Sequence, residues 1–293
     1  VSSYYDGLLQ VANMQAFFME HSAGFHTVEP HKIWAEYTSD YYRMDAYYRQ
    51  FHLCFQHSLT VSNPLLDDLF KHVADKVEGL YSHWFLGSLG QNWSDACADN
   101  MAEYGRVLEV PQQVDFYRSK VSHSENRVFV IISDAYEVAA SLSEQLQREM
   151  QCKVSLGSCQ SIFPSVTKFG MAALLPHKKL EVVQRSNGVL GILADGQPTD
   201  AGNRDKVLKA AHAASVALKY DNIIGLKRAD RQALVKGMDV VYIYHDKVDE
   251  ASHTSDSAVF PACDDAIAEI KNLIRIIVNE FGGTNVIVTA DHG

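Results

Sequence analysis

The stretch that decides the fold is Val128-Phe129-Val130-Ile131-Ile132, a short run with an apolar side chain at every position. A strand with one face in solvent alternates apolar and polar residues, so this run indicates a strand buried on both faces of a parallel sheet. Further buried strands are expected at Val240–Tyr244 and Asn285–Ala290, and a weaker candidate lies at Val189–Leu193. These runs predict the central sheet of an α/β domain.

Amphipathic segments with helical spacing separate these runs. One helix is expected directly after the first strand, a second around Asp205 to Leu218, and a third that ends at Phe281-Gly282-Gly283 before the last strand. Alternating strands and helices predict a mostly parallel sheet with helices on both faces. The predicted inner faces are Val138, Leu142, Leu146 and Met150 for the first helix, and Ile267, Ile270, Ile274 and Ile277 or Val278 for the third.

Residues 1–122 are expected to form a helical domain ahead of the α/β domain at residues 123–293. Apolar residues recur there at steps of three and four, which lays one apolar stripe along a long helix. A second helix is expected to begin with Asn63 as N-cap and Pro64 in its first turn. The stripe is interpreted as a packing surface, with a ligand-stacking surface as the alternative. It consists of Trp34, Tyr37, Tyr41, Met44, Tyr48, Phe51 and Phe55.

The composition limits the class of protein. The 293 residues are 47% hydrophobic and 21% charged, as in soluble globular proteins, and the net charge of −10 argues against a generally basic surface that coats nucleic acid. The five scattered cysteines, the lack of a signal peptide and the absence of any apolar run near ~20 residues favour a cytoplasmic protein with no membrane partner. Because the chain begins with Val1 and stops after Asp291-His292-Gly293, we expect a fragment truncated at its C-terminus.

Acidic and histidine residues follow three of the predicted strands. Asp134 comes just after the first strand, the segment from His245 to His253 follows the second, and Asp291-His292 follows the last. Ligands bind at the carboxyl ends of strands in open α/β sheets, so these side chains are expected to form one metal site. Carboxylate, imidazole and hydroxyl ligands suit Zn²⁺ or Mn²⁺. Taken singly, Asp134 is also a plausible helix N-cap, and an Asp-His pair is also typical of a solvated turn.

A candidate nucleophile lies in Ile162-Phe163-Pro164-Ser165-Val166-Thr167-Lys168-Phe169-Gly170-Met171. Hydroxyl residues follow a proline turn there, and a helix is expected to begin beyond them. A metal-bound Thr or Ser at a helix N-terminus has a lowered pKa and becomes a nucleophile, while nearby backbone N–H groups can hold a phosphate oxygen. The alternative is an ordinary Ser or Thr cap with no chemical role.

In these pieces the chain resembles the PglZ family of the alkaline-phosphatase superfamily, and most closely the PglZ proteins of bacterial BREX phage-defence systems. The resemblance covers nearly the whole chain, including the aromatic helical region around Tyr47-Tyr48-Arg49 and Trp84. The order and content of the matching pieces make it specific. These pieces are Val130–Ala135, Pro164–His177, Tyr242–Asp246 and Val288–Gly293.

The resemblance implies a two-metal site. One divalent metal ion, Zn²⁺ with Mn²⁺ as the alternative, is assigned to Asp134, Thr167, Asp291 and His292, with Thr167 as the nucleophile. The second metal ion is assigned to Asp249 and His253, and the last histidine ligand of the superfamily is expected beyond the end of this chain. Lys168 is a candidate phosphate clamp, with a solvated lysine as the alternative. Groups that orient the ligands are expected to be His177, His245 and Asp246, although the two histidines also suit turn caps.

The implied activity is hydrolysis of a phosphate ester in bacterial anti-phage defence. The substrate is a monoester or a diester, with a nucleotide or nucleic acid as the candidate, and the expected partners are other BREX proteins. The rival hypothesis is a catalytically silent scaffold that docks partner proteins of a defence complex. Metal content distinguishes them, because two metal ions per chain favour catalysis and none or one favours a scaffold.

Two departures from the family pattern bear on the site. Relatives usually carry about two more residues after Asp134-Ala135, typically an apolar residue and an arginine, so this branch either lacks a phosphate-binding arginine or the sequence has a gap there. The gap is the interpretation that we favour. In addition, His253 stands where many relatives have Asp, and Asp246, Asp249 and Asp256 are neighbouring candidates for the second metal.

Overall fold

The computed structural model describes residues 2–60, 63–98, 106–107, 109–133, 136–150, 152–186, 188–255 and 258–292. Contacts between residues divide the chain into two compact units. The first contains Val1–Glu103, Val107–Glu109 and Thr254–Pro261, and the second contains Tyr104–Arg106, Val110–His253 and Ala262–Gly293. The domain boundary expected between residues 122 and 123 stays a prediction. None of the helices in the described ranges is long and apolar enough to cross a membrane.

The described elements are numbered in chain order. The helices are α1 Ser2–Glu20, α2 Pro30–Glu36, α3 Tyr42–Leu59, α4 Pro64–Glu78, α5 Gly87–Cys97, α6 Tyr136–Glu149, α7 Thr167–Ala173, α8 Arg204–Ala211, α9 Tyr220–Ile224, α10 Arg228–Val235, α11 Lys247–Ser252 and α12 Val259–Phe281. The strands are β1 Val128–Ser133, β2 Leu180–Gln184, β3 Leu190–Ala194, β4 Gln197–Pro198, β5 Ser215–Lys219, β6 Val240–Tyr244 and β7 Asn285–Ala290. Turns of π-helix join α2 to α3 at Tyr37–Tyr41 and α4 to α5 at Gly79–Leu86.

The first unit is helical, and its core is aromatic. All residues of the predicted stripe except Trp34 belong to this core, with Met44 and Phe51 fully buried, which confirms the packing interpretation. Helix α4 begins at Pro64, directly after Asn63 as predicted. The Asn63 side chain makes no capping hydrogen bond, and instead its backbone N–H donates to Oδ2 of Asp67. The start of this helix is therefore fixed by a proline and by a carboxylate in the first turn.

The second unit is built on a four-stranded parallel sheet in the order β5-β6-β1-β7. Alternate residues of β1 face opposite sides of the sheet. Val130 packs in one core with Met171 of α7 and Leu208 of α8, whereas Phe129 stacks on Phe281 of α12, with ring centroids 6.0 Å apart. Helices therefore cover both faces, and the prediction of an α/β domain with a mostly parallel sheet is confirmed.

The helix expected around Asp205 to Leu218 is wrong in its second half. Helix α8 ends at Ala211, and Ser215–Lys219 forms the edge strand β5. Pairing with β6 satisfies the backbone groups on one side of this strand, and on the other side Oδ1 of Asp205 accepts a hydrogen bond from the backbone N–H of Ala217. Tertiary pairing thus overrides the helical propensity of this alanine-rich segment. The strand expected at Val189–Leu193 is found as β3, which pairs with β2 and β4 in a separate antiparallel sheet.

Candidate active site

The carboxyl ends of the four parallel strands lie side by side at one edge of the sheet. Tyr244 at the end of β6 is opposite Ile132 of β1 and opposite Lys219 at the end of β5. Ser133 at the end of β1 is opposite Ala290 at the end of β7. The residues that follow these strands, where the predicted ligands lie, therefore begin at nearly the same level of the fold.

Thr167, Asp291 and His292 come together at this edge. Thr167 is the first residue of α7, and its Oγ1 lies 3.0 Å from Nε2 of His292. The same imidazole nitrogen lies 3.7 Å from Oδ2 of Asp291. Asp291 is buried, with only 2% of its surface exposed. A buried carboxylate is costly without charged or hydrogen-bonding partners, so this position is typical of a functional group rather than of a solvated turn.

Two contacts hold the backbone of Asp291 against α7 and against the turn at Gln113. A Cβ atom on Gly170 would overlap the carbonyl oxygen of Asp291, so only glycine allows the helix and this segment to approach so closely. The buried side-chain amide of Gln113 donates hydrogen bonds to the carbonyl oxygens of Ala290 and Asp291, at 3.0 and 2.7 Å, and accepts one from the N–H of Ile162. This arrangement fixes the distance between Thr167 and the Asp291-His292 pair.

Asp249 and His253 are also neighbours, but in a more open setting. Asp249 lies in α11 and His253 follows its end, with 3.7 Å between Oδ2 and Nε2. The His253 side chain is 78% exposed, and that of Asp249 is 39% exposed. Asp246, the residue before α11, lies 3.9 Å from Nζ of Lys219. Of these acidic and histidine residues, Asp246 and Asp249 share a cavity with Thr167.

His245 is buried directly after β6. Its Nε2 lies 2.8 Å from Oε2 of Glu269 in α12, and its Nδ1 lies 3.3 Å from Oγ of Ser133 at the end of β1. The imidazole and the Tyr220 ring pack edge to face, with centroids 4.8 Å apart. Burial together with Glu269 and Asp221 raises the pKa of that phenol to about 12. With both ring nitrogens occupied, His245 connects the ends of two strands to α12.

A cavity of about 150 Å³ opens at the carboxyl edge of the sheet. A second cavity of about 250 Å³ shares Lys219, His245 and Asp246 with it. The lining of the first combines hydroxyl, carboxylate, imidazole and cationic groups, the set that phosphate-ester chemistry uses. Its polar residues are Ser133, Thr167, Arg204, Lys219, His245, Asp246, Asp249 and Asp291.

Two residues of the predicted site lie elsewhere. Lys168 is exposed, and its ammonium group donates a hydrogen bond to the carbonyl oxygen of Leu190 in β3, 2.7 Å away. His177 has Nδ1 2.7 Å from the carbonyl oxygen of Leu175 and lines a different cavity of about 390 Å³. Asp134 lies outside the described residues, as do Ala135, where the family pattern departs, Asp256 and Gly293.

The donor atoms at Thr167, Asp291 and His292 fit one divalent metal ion. Two ligand atoms at about 2.0–2.2 Å from a shared ion are about 3–3.6 Å apart. The 3.0 Å between Nε2 of His292 and Oγ1 of Thr167 is within this range, and the 3.7 Å to Oδ2 of Asp291 is slightly above it. Within the described ranges, no three His, Cys, Asp or Glu side chains by themselves form a metal-binding group.

Several residues at the site were not predicted from the sequence, among them Gln113, Glu269 and Arg204. Gln113 and Glu269 act through partners that lie far away along the chain, so no local pattern marks them. Arg204 begins a helix after a turn, a position where a charged residue is common on any protein surface. Only the strand pairing that brings β5 next to β6 places it beside the cavity.

A parallel sheet with a hydroxyl, carboxylate and imidazole cluster at its carboxyl edge is the arrangement of an alkaline-phosphatase-like domain. Residues 116–293 match the family described as the BREX system PglZ alkaline phosphatase-like domain. The chain belongs to this PglZ family.

Two curated relatives match nearly the whole chain. The alkaline phosphatase-like protein BrxZ of Escherichia coli O9:H4 (strain HS) is 35% identical over 300 residues, which cover 99% of this chain and 34% of that protein. The alkaline phosphatase-like protein PglZ of Bacillus cereus (strain H3081.97) is 31% identical over 297 residues, with 99% and 34% covered. The chain thus spans about a third of the length of these relatives. No solved structure matched the chain.

Proposed function

We propose that this site hydrolyses phosphate esters, with Thr167 as the nucleophile and two bound divalent metal ions. The observation that carries the proposal is the cluster of Thr167, His292 and buried Asp291 at the carboxyl edge of the sheet. A threonine used only as a helix cap needs no such partners. The family description as alkaline phosphatase-like agrees with this choice of reaction.

The proposed ligands of the first metal ion are Asp134, Thr167, Asp291 and His292, and those of the second are Asp249 and His253. Zn²⁺ suits these carboxylate, imidazole and hydroxyl donors, and Mn²⁺ is the alternative. Bound metal ions lower the pKa of a coordinated hydroxyl and stabilise negative charge on the phosphoryl and leaving oxygens. His245 and Asp246 orient the loop after β6, through Glu269 and Lys219 respectively.

The proposed hydrolysis proceeds in two steps through a phosphorylated Thr167. Oγ1 of Thr167 loses its proton to solvent and attacks phosphorus, and the bond from phosphorus to the ester oxygen breaks as the alcohol leaves with a proton from water. Water then cleaves the phosphothreonine. A monoester yields inorganic phosphate, and a diester yields a phosphomonoester. Gly170 and Gln113 keep Thr167 aligned by holding Asp291 in place.

The family suggests where this chemistry is used. We propose that the protein acts in bacterial anti-phage defence together with other BREX proteins, on a nucleotide or nucleic-acid ester in the cytoplasm. The relatives are named as alkaline phosphatase-like proteins, and the family description names the BREX system. The cytoplasmic setting is a prediction from the scattered cysteines.

The test compares Thr167→Ala with Ser165→Ala in the full-length protein loaded with Zn²⁺ or Mn²⁺. Ser165 is an exposed hydroxyl on the same loop and serves as the matched control. We expect Thr167→Ala to lower the rate on nitrophenyl phosphate mono- and diesters by at least about 1000-fold and Ser165→Ala to leave it unchanged. Turnover that survives in Thr167→Ala, or no turnover with two metal ions bound, contradicts the proposal. No turnover with one metal ion or none favours the scaffold.

A further inference from the structure

Arg204 is a cation at the cavity of the proposed nucleophile and has no part in the reaction steps proposed for Thr167. It is the first residue of α8 and lines the same cavity as Thr167. Its guanidinium carbon lies 4.4 Å from the centroid of the Tyr244 ring. Contact with this buried aromatic face holds the side chain at the end of β6 while its planar group stays charged.

The side chain of Arg204 lines a cavity that can hold an anionic ligand. Among the described residues, the buried Nε atom of Arg204 has no hydrogen-bond partner, and no carboxylate there forms an ion pair with the side chain. An anion in the adjoining cavity would pair with the positive charge of this side chain. The exposed Lys219 is the other cation of the lining, and its ammonium group lies 3.9 Å from Oδ2 of Asp246.

We propose that Arg204 binds the non-bridging oxygens of the substrate's phosphoryl group. The proposal rests on the proposed function for the identity of that substrate. A guanidinium presents paired N–H donors that match two oxygens of a phosphate, which a single ammonium does not. The exposed side chain of Lys219 adds positive charge to the lining of the same cavity.

The experiment measures binding of inorganic phosphate to the full-length, metal-loaded protein by calorimetry, with metal content determined in parallel. Arg204→Met keeps an unbranched stem against Tyr244 but has no donor, Arg204→Gln keeps a neutral donor, and Arg204→Lys keeps the charge. Lys206→Gln is the matched control, because Lys206 is an exposed cation on the same helix and does not line the cavity.

We expect Arg204→Met and Arg204→Gln to weaken phosphate binding about 10- to 100-fold, as loss of charge-assisted hydrogen bonds does, with metal content unchanged. Arg204→Lys recovers part of the affinity, and Lys206→Gln matches the wild type. The KM for phosphate esters rises in the same order. If a donor-free variant does not fold, Arg204→Lys still gives the test, since the proposal requires it to bind phosphate more weakly than the wild type.

Several outcomes overturn the proposal. Phosphate binding by Arg204→Met at wild-type affinity, no phosphate binding by the wild type, or a parallel loss of metal from the Arg204 variants would each do so. Failure of the proposed function looks different. In that case phosphate binds in an Arg204-dependent manner, but no phosphate ester is hydrolysed.

Discussion

The two proposed metal positions are built in different ways. The first position contains Thr167, Asp291 and His292. Gly170 lets α7 contact the backbone of Asp291, and the buried amide of Gln113 donates hydrogen bonds to the carbonyl groups of Ala290 and Asp291. Asp249 and His253 lie on and just after a six-residue helix, with a partly exposed aspartate, a largely exposed histidine and one 3.7 Å contact between them. The first position is fixed by packing and by buried hydrogen bonds, whereas the second is fixed mainly by its own short helix.

The geometry of the first position therefore depends on the packing of the surrounding fold much more than that of the second. Moving a packed segment disturbs every atom attached to it, because interiors are dense and relax only in part. An exposed side chain can be replaced with little effect on the fold, so its loss shows mainly in the ligand that it binds. Changes near Asp291 should therefore lower stability and activity together, and changes at His253 should separate the two.

Gly170→Ala is expected to have the largest effect. The new methyl group would overlap the carbonyl oxygen of Asp291, so α7 or the Asp291 segment must shift. We expect the free energy of unfolding to fall by about 1–3 kcal/mol. The hydrolysis rate should fall about 100-fold, since a displacement near 1 Å at a reacting group has that effect. Denaturant unfolding and initial rates on nitrophenyl phosphates measure the two.

Gly157→Ala is the matched control for this change. Gly157 is exposed, its backbone does not need a positive φ, and an added Cβ would meet no heavy atom within 4 Å. Its unfolding free energy should change by less than about 1 kcal/mol and its rate should stay constant. Wild-type activity in Gly170→Ala would show that the approach of α7 to Asp291 does not align Thr167.

The sequence predicted the elements whose local pattern of apolar residues is distinctive. β1 and β6 were found because strands buried on both faces are apolar throughout. β7 was found at the expected position, but the expectation that it is fully buried was wrong, because it lies at the edge of the sheet and its six residues are half-buried. β5 was missed because only Ser215 is fully buried along this edge strand, and its alanine-rich approach resembles a helix. The partner that makes β5 a strand is Val240–Tyr244, more than twenty residues further along, which local spacing does not reveal.

The candidate site divides in the same way. The family resemblance grouped Thr167 with Asp291 and His292. In the structure Nε2 of His292 lies 3.0 Å from Oγ1 of Thr167 and 3.7 Å from Oδ2 of Asp291. Gln113 escaped prediction since its hydrogen bonds reach residues 177 and 178 positions away. Lys168 was expected beside the phosphate because it follows Thr167, but successive helix residues point in different directions.

Gln113→Leu is expected to have the next largest effect. It removes the amide that donates to Ala290 and Asp291 and accepts from the N–H of Ile162, and leaves these buried backbone groups without their partner. We expect a loss of about 2 kcal/mol in unfolding free energy and about tenfold in rate, because the Asp291 segment loosens without a steric clash. Gln112→Leu, at a half-buried neighbouring amide, should change both quantities less. A selective loss of rate with unchanged stability would argue against the holding role.

His253→Gln should have the smallest effect on the fold and the clearest effect on metal binding. With a side chain that is 78% exposed, its unfolding free energy should change by less than about 0.5 kcal/mol. The metal concentration for half-maximal activity should rise about tenfold, because one ligand of the second ion is lost. His212→Gln, at an exposed histidine paired with Asp239, is the control and should change neither.

If His253→Gln destabilised the protein as much as Gln113→Leu, the second position would be as tightly packed as the first, and the contrast between them would fail. An unchanged metal requirement would remove His253 from the ligand set and leave Asp249 and Asp246 as the carboxylates that line the cavity.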